Sequence, residues 1–252
     1  MGQKPLVGGT AYDMVGGKPL VGGTAYRIVK GRSLIGGTGY DIPLDNNMAD
    51  FLDLMAHASY SLSAGRNASS TGSVYLSAPG QSGSYPYWVL TICDGEFSWT
   101  KFTNASTKTV IYQSSASKAN CAYGWAWYYS DDGTSSTNVY GATMFACTFS
   151  GYTEAEVDAI LSGISKKAGV GRNAATVDEV SLAVSPSDTV LVSFVPSSSQ
   201  YKFAISSPIG TVIFGDYTSN PSLLYVSNNV AKLSVNGTSS RTVYGGSIIT
   251  LQ

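Results

Sequence analysis

Lys4-Pro5-Leu6-Val7-Gly8-Gly9-Thr10-Ala11-Tyr12-Asp13-Met14-Val15-Gly16-Gly17 is followed at once by a near copy, Lys18 to Gly31, and then by a third that starts at Arg32 and decays after Ile42. A repeat of this kind has to be interpreted before the rest of the chain, because it fixes the architecture of its segment. Gly8-Gly9, Gly22-Gly23 and Gly36-Gly37 punctuate the copies internally, and Gly16-Gly17 and Lys30-Gly31 separate them. A Gly-Gly pair tolerates positive φ at both positions, which a two-residue hairpin turn requires. The runs between the turns are Leu, Val, Ile, Thr and Tyr, residues at home in strands. The repeat therefore predicts six short strands in an up-and-down meander, at about residues 5–7, 10–15, 18–21, 24–29, 32–35 and 38–42.

Alternation places Thr10, Tyr12 and Met14 on one face, matched by Thr24, Tyr26 and Ile28 and by Thr38, Tyr40 and Ile42. The copies so build a ladder of like residues with tyrosines near one another across strands. Pro5 and Pro19 lack an amide donor, which keeps their strands short or at an edge. A segment of this size buries too little surface to fold alone, and no cysteine staples it. We therefore expect it to dock, with Leu6, Tyr12, Leu20, Tyr26, Leu34 and Tyr40 as the assembly interface. A flexible glycine-rich linker would need neither strict period nor placed aromatics.

The phrase K-x-L-[IV]-x-G-T-x-Y-x-I, carried by Lys4 to Met14, Lys18 to Ile28 and Arg32 to Ile42, resembles N-terminal repeats of structural proteins from phages and prophages of Firmicutes, often tail-, baseplate- or fibre-associated. The resemblance covers only the first 44 or so residues. It implies a virion component whose repeat is an attachment or packing module, with other virion proteins as partners, a homo-oligomer within the particle and a virion location. Capsid decoration or a head fibre is the alternative placement.

Charged residues are 12% of the chain, about half the share usual in a globular protein. Gly, Ser, Thr and Tyr stand in their place, which suits β structure and surfaces covered by neighbours. The net charge is −1 and no block of like charge occurs, so a phosphate-tracking surface is not indicated and no nucleic-acid partner is expected. No apolar run reaches membrane-spanning length. Met1-Gly2-Gln3-Lys4 leads straight into the repeat, so no secretory signal is expected; synthesis in a host cytoplasm and release by lysis would fit. Cys93, Cys121 and Cys147 are odd in number and widely spaced, which argues for buried thiols and against a disulfide framework or a zinc site.

Beyond the repeat the chain is expected to be mainly β. Residues 1–44 form the hairpin module. Residues 45–72 form a linking helix, with Met48, Phe51, Leu52 and Met55 on one stripe, and then a Ser-, Ala- and Gly-rich loop from Ser59 to Gly72. Residues 73–175 form an antiparallel β domain with one helix at 153–167, opened by a capping box of Thr153 and Glu156 and carrying Lys166 and Lys167 at its C-terminal end. Residues 176–252, with seven or eight short strands between turn signals, form a small β-sandwich or barrel. Gly65-Arg66-Asn67-Ala68 recurs as Gly171-Arg172-Asn173-Ala174, each after a helix and before a strand-like run; this marks either a duplicated helix–turn–strand unit or, the reading we prefer, a coincidence of four letters between Gly-rich loops.

No catalytic, cofactor or metal site is expected. His57, the lone histidine, has no nucleophile signature beside it. Gly80-Gln81-Ser82-Gly83-Ser84 lacks the second glycine where a G-x-S-x-G elbow needs it. The pairs Asp94/Glu96 and Asp131/Asp132 lie in turns, where Asp serves local hydrogen bonding. Two aromatic clusters are more informative: Tyr85, Tyr87 and Trp88, and Trp125, Trp127, Tyr128 and Tyr129. Read as one strand from Cys121 to Tyr129, the second places Trp125, Trp127 and Tyr129 on one face. Buried, they are the core of a β domain, the reading we prefer. Exposed, they offer a stacking platform for a host-surface glycan or a protein contact, as in a carbohydrate-binding adhesin.

Overall fold

The computed structural model describes the backbone of residues 47–65, 70–79, 85–197, 200–209, 212–216 and 223–252, together with seven short strands before residue 47; side chains are described for 47–59, 70–79, 85–194, 202–209 and 223–252. The chain is mainly β and divides into two compact units, Met1–Asn47 and Met48–Gln252.

In the first unit, β1 (Leu6–Val7) pairs antiparallel with β2 (Thr10–Ala11), Val7 standing opposite Thr10. β4 (Lys18–Val21) pairs with β5 (Thr24–Ala25), Val21 opposite Thr24. β6 (Gly31–Ile35) pairs with β7 (Thr38–Ile42), Ile35 opposite Thr38. All three copies therefore pair in one register across their Gly-Gly. β3 (Met14–Val15) joins the first copy to the second by pairing with β4. Tyr12 and Tyr26, and the side chains of Leu6, Leu20, Leu34 and Tyr40, lie outside the described residues.

The second unit begins with α1 (Asn47–Ala56). Eight strands follow: β8 (Ala58–Gly65), β9 (Tyr75–Leu76), β10 (Tyr87–Cys93), β11 (Glu96–Phe102), β12 (Lys108–Gln113), β13 (Asn120–Tyr123), β14 (Trp127–Ser130) and β15 (Thr143–Phe149). Then come α2 (Glu154–Ser162) and eight more: β16 (Lys166–Glu179), β17 (Ser181–Ala183), β18 (Thr189–Ser197), β19 (Gln200–Ser206), β20 (Val212–Asp216), β21 (Leu224–Ser227), β22 (Val230–Leu233) and β23 (Thr242–Leu251).

The two series are built alike. The first makes a sheet in the order β12-β11-β10-β15-β8 and a smaller one, β13-β14-β9; the second makes β20-β19-β18-β23-β16 and β21-β22-β17. Strand for strand the orders coincide. Registers coincide too. Thr143 pairs with Ile92 on one side and Gly65 on the other, and Ser247 pairs with Ser193 and Gly171. Each small sheet covers the outer face of its own large sheet over a separate apolar layer, around Trp127 and Val89 in the first half and around Leu233 and Val190 in the second. The inner faces of both large sheets share one core with α1 and α2, built around Phe51, Leu90, Phe145, Leu161, Phe203 and Ile249.

The halves meet about a near-two-fold axis. β10 packs by β23 as β15 packs by β18, and β11 by β16 as β19 by β8. On that axis Gly141 touches its own equivalent, Gly245: a Cβ built on either would fall inside contact distance of the other's Cα. Reciprocal contact of like positions is the mark of an isologous interface.

Four expectations change. The Gly-Arg-Asn-Ala echo is positional, since Gly65 and Gly171 occupy matching places opposite Thr143 and Ser247. The Ser59–Gly72 loop contains β8, whose backbone is ordered by pairing with β15 although its residues are weak strand formers. The helix expected to reach residue 167 ends at Ser162, where Gly163 donates to Ala159 and Ile160 carbonyls; Lys166 already belongs to β16 and bonds Glu96 across to β11. The divide expected at residue 175 falls inside β16. The capping box of Thr153 and Glu156 is present, and Asp158 on that helix accepts from Trp88 Nε1 at 2.9 Å and from Lys101.

Candidate functional site

The small sheet of the first half carries an aromatic outer face. In β9 and the residue before it, Val74 and Leu76 point inward and Tyr75 outward, 45% exposed. In β14, Trp127 and Tyr129 point inward and the intervening Tyr128 outward, directly opposite Tyr75. Between β13 and β14 the chain turns back at Gly124-Trp125-Ala126, with Gly124 N–H donating to the Ala126 carbonyl at 3.0 Å. That turn throws Trp125 out to 73% exposure. Gly124 runs against the Tyr128 ring, where a Cβ would come to 3.3 Å of Cε2.

Trp125 is held edge-to-face by two neighbours, Tyr75 with ring centroids 5.1 Å away and Tyr128 at 5.4 Å; Tyr75 and Tyr128 are themselves 5.8 Å apart. Tyr123, 39% exposed, flanks the turn. Desolvation by the surrounding rings, then the neighbouring Tyr75, raises the Tyr128 phenol above its usual range. No charged residue occurs from Asn67 to Cys93 or from Ala119 to Ser130. The ion pair at the margin, Lys118 with Asp94, is satisfied within itself.

The three aromatics expected to share a face are thus divided. Trp127 is fully buried, stacks on Phe102 at 4.5 Å and donates Nε1–H to the Ala105 carbonyl at 2.9 Å. Tyr129 is buried and donates its hydroxyl to Asp131 Oδ1 at 2.7 Å. Only Trp125 reaches water. The expectation failed because residues 121–129 are a hairpin rather than one strand, so the period of two breaks between Trp125 and Trp127. Of its surface partners, Tyr128 belonged to the cluster already named, and Tyr75, which was missed, was legible as the outward member of Val-Tyr-Leu.

Elsewhere the polar candidates are engaged structurally. Glu96 accepts from Ser114 Oγ and from Lys166, and Asp132 accepts from the Thr134 N–H at 2.9 Å in its own turn. His57 lies exposed at the end of α1 with Nδ1 2.8 Å from the Asp53 carbonyl oxygen. Residues 80–84 lie outside the described residues. Burial pushes the Cys93 and Cys121 thiols up to about 12 and Cys147 upward as well. Among the described residues no three His, Cys, Asp or Glu side chains converge as a metal site would require, and no helix is long and apolar enough to cross a membrane. Comparison with protein-family models, with curated proteins and with solved structures finds no match to this chain.

Proposed function

We propose that the chain is a non-enzymatic structural protein of a bacteriophage particle, attached through its N-terminal hairpins, with the tail, baseplate or a fibre as its place and capsid decoration as the alternative. The observation that carries this reading is the identical register of three hairpins spaced one repeat apart, Val7 with Thr10, Val21 with Thr24 and Ile35 with Thr38. Three copies of one short pairing recur at one period, a pattern suited to packing against a repetitive assembly. The repeat phrase and its resemblance to virion proteins support the same reading, as does the low charge of the chain. Peptide mass fingerprinting of purified particles tests it. The full-length chain should be found in the particle, and a chain lacking residues 1–46 should be missing from it while remaining folded. Absence of the full chain from particles would overturn the proposal.

A further inference from the structure

We propose that the outer face of the β13-β14-β9 sheet binds a neutral saccharide, stacked on Trp125 between Tyr75 and Tyr128. This goes beyond the assembly reading and does not depend on it, since the site lies wholly in the second unit.

The internal duplication supplies the control. Tyr129 N–H donates to the Val74 carbonyl in the first half as Leu233 N–H donates to Val180 in the second, which sets the two small sheets in register. In that register Tyr75 opposite Tyr128 corresponds to Ser181 opposite Lys232. The turn that carries Trp125 corresponds to one carrying Asn228 and Asn229, both at positive φ. The same architecture therefore has serine, lysine and asparagine at the positions of Tyr75, Tyr128 and the Trp125 turn, with Tyr225 the aromatic residue beside Lys232. The fold does not require aromatics at these positions, and their clustering in one half points to a contact.

Three features select a neutral sugar. The face has no charge of its own, so it offers nothing to hold a phosphate backbone, an anionic polymer or a charged headgroup. Its size is small. With aromatic side chains contributing about 150–250 Å² each, the exposed fractions of Trp125 and Tyr75 amount to roughly 250 Å², well under the ~800 Å² per partner of a standard protein interface. A span of one to three sugar rings matches it. Finally, a pyranose presents apolar C–H faces, and a tryptophan braced between two tyrosines presents an apolar ring of matching size. The two edge-to-face contacts hold Trp125 before any ligand arrives, which lowers the ordering cost of binding.

The test uses the full chain in affinity electrophoresis through gels containing dextran, mannan or galactan, with anionic alginate in parallel. The other three tryptophans are buried, so iodide quenching of fluorescence reports on Trp125. At least one neutral polysaccharide should retard the protein and shield Trp125 from iodide, while alginate should not. Trp125→Ala should weaken binding at least about tenfold, the loss expected of a central aromatic anchor. Tyr128→Lys, which places at this position the residue found at Lys232, should weaken it as well, with an unchanged circular dichroism spectrum showing that the sheet still forms. Three results would overturn the proposal: no retardation by any neutral polymer, unchanged binding in both variants, or shielding of Trp125 caused instead by phosphatidylcholine vesicles or by self-association.

Discussion

Gly141 and Gly245 show how much a single missing side chain can decide. Each occupies the space into which the other's Cβ would project, and what it would meet is backbone, which cannot swing aside. Overpacking against flexible side chains costs about 1–3 kcal/mol, and contact with main chain belongs at the upper end. Gly141→Ala should therefore lower stability by about 3 kcal/mol in urea denaturation. Gly151→Ala is the comparison. Its φ is +79° and nothing lies within 4 Å of a built Cβ, so it should cost only the left-handed penalty of about 1–2 kcal/mol. Equal losses at the two sites would show that the halves can yield at their contact.

At the scale of elements, the end of β16 is tied to β22 by Glu179 and Lys232, whose Oε1 and Nζ are 2.6 Å apart. The hydrogen bond from Lys232, then one from Ser240, holds the Glu179 carboxyl below its usual range. A depressed carboxyl contributes stability above its unfolded pKa, about 4.3, and that contribution is lost as pH falls through the folded value. Asp132, held down by Thr134, acts in the same direction. The thermal midpoint should thus fall as pH drops below about 4.5, and Glu179→Gln should make that fall shallower; an unchanged slope would remove Glu179 from the linkage. What the sequence disclosed follows the same local logic. The Gly-Gly hairpins, the Thr153 capping box and most strands of both halves were legible because each depends on neighbours along the chain. β8 was not, because Ser and Ala become a strand there only through β15. The Trp125 surface was half legible: aromatic density announced it, but the turn at Gly124 that parts Trp125 from Trp127 did not stand out among so many strand-forming residues.

Across the whole molecule the duplication was written in the sequence twice, in Gly-Arg-Asn-Ala and more fully in Ser130–Gly141 against Ser234–Gly245, which share eight of twelve letters. Matching hydrogen bonds account for the shared Ser and Gly at the start of that stretch, and the contact of Gly141 with Gly245 for the Gly at its end. Ser130 Oγ accepts from Gly133 N–H at 2.8 Å and Ser234 Oγ from Gly237 N–H at 2.6 Å, with both glycines at positive φ. Each half owns one private apolar layer, but the layer around Phe145 and Phe203 belongs to both. Residues 47–151 and 152–252 produced separately should each expose that layer and bind a hydrophobic dye; produced together, a tag on one should bring down the other. Two halves that stay soluble, dye-free and apart would mean that the shared core is not needed.

The glycine contact on the axis has one more consequence. In a homodimer of a single half, one codon would supply both sides of that contact, so every substitution would arrive twice and clash with itself. Joining the halves into one chain ends this coupling. Matched positions away from the axis can then differ, as Tyr75 and Tyr128 do from Ser181 and Lys232.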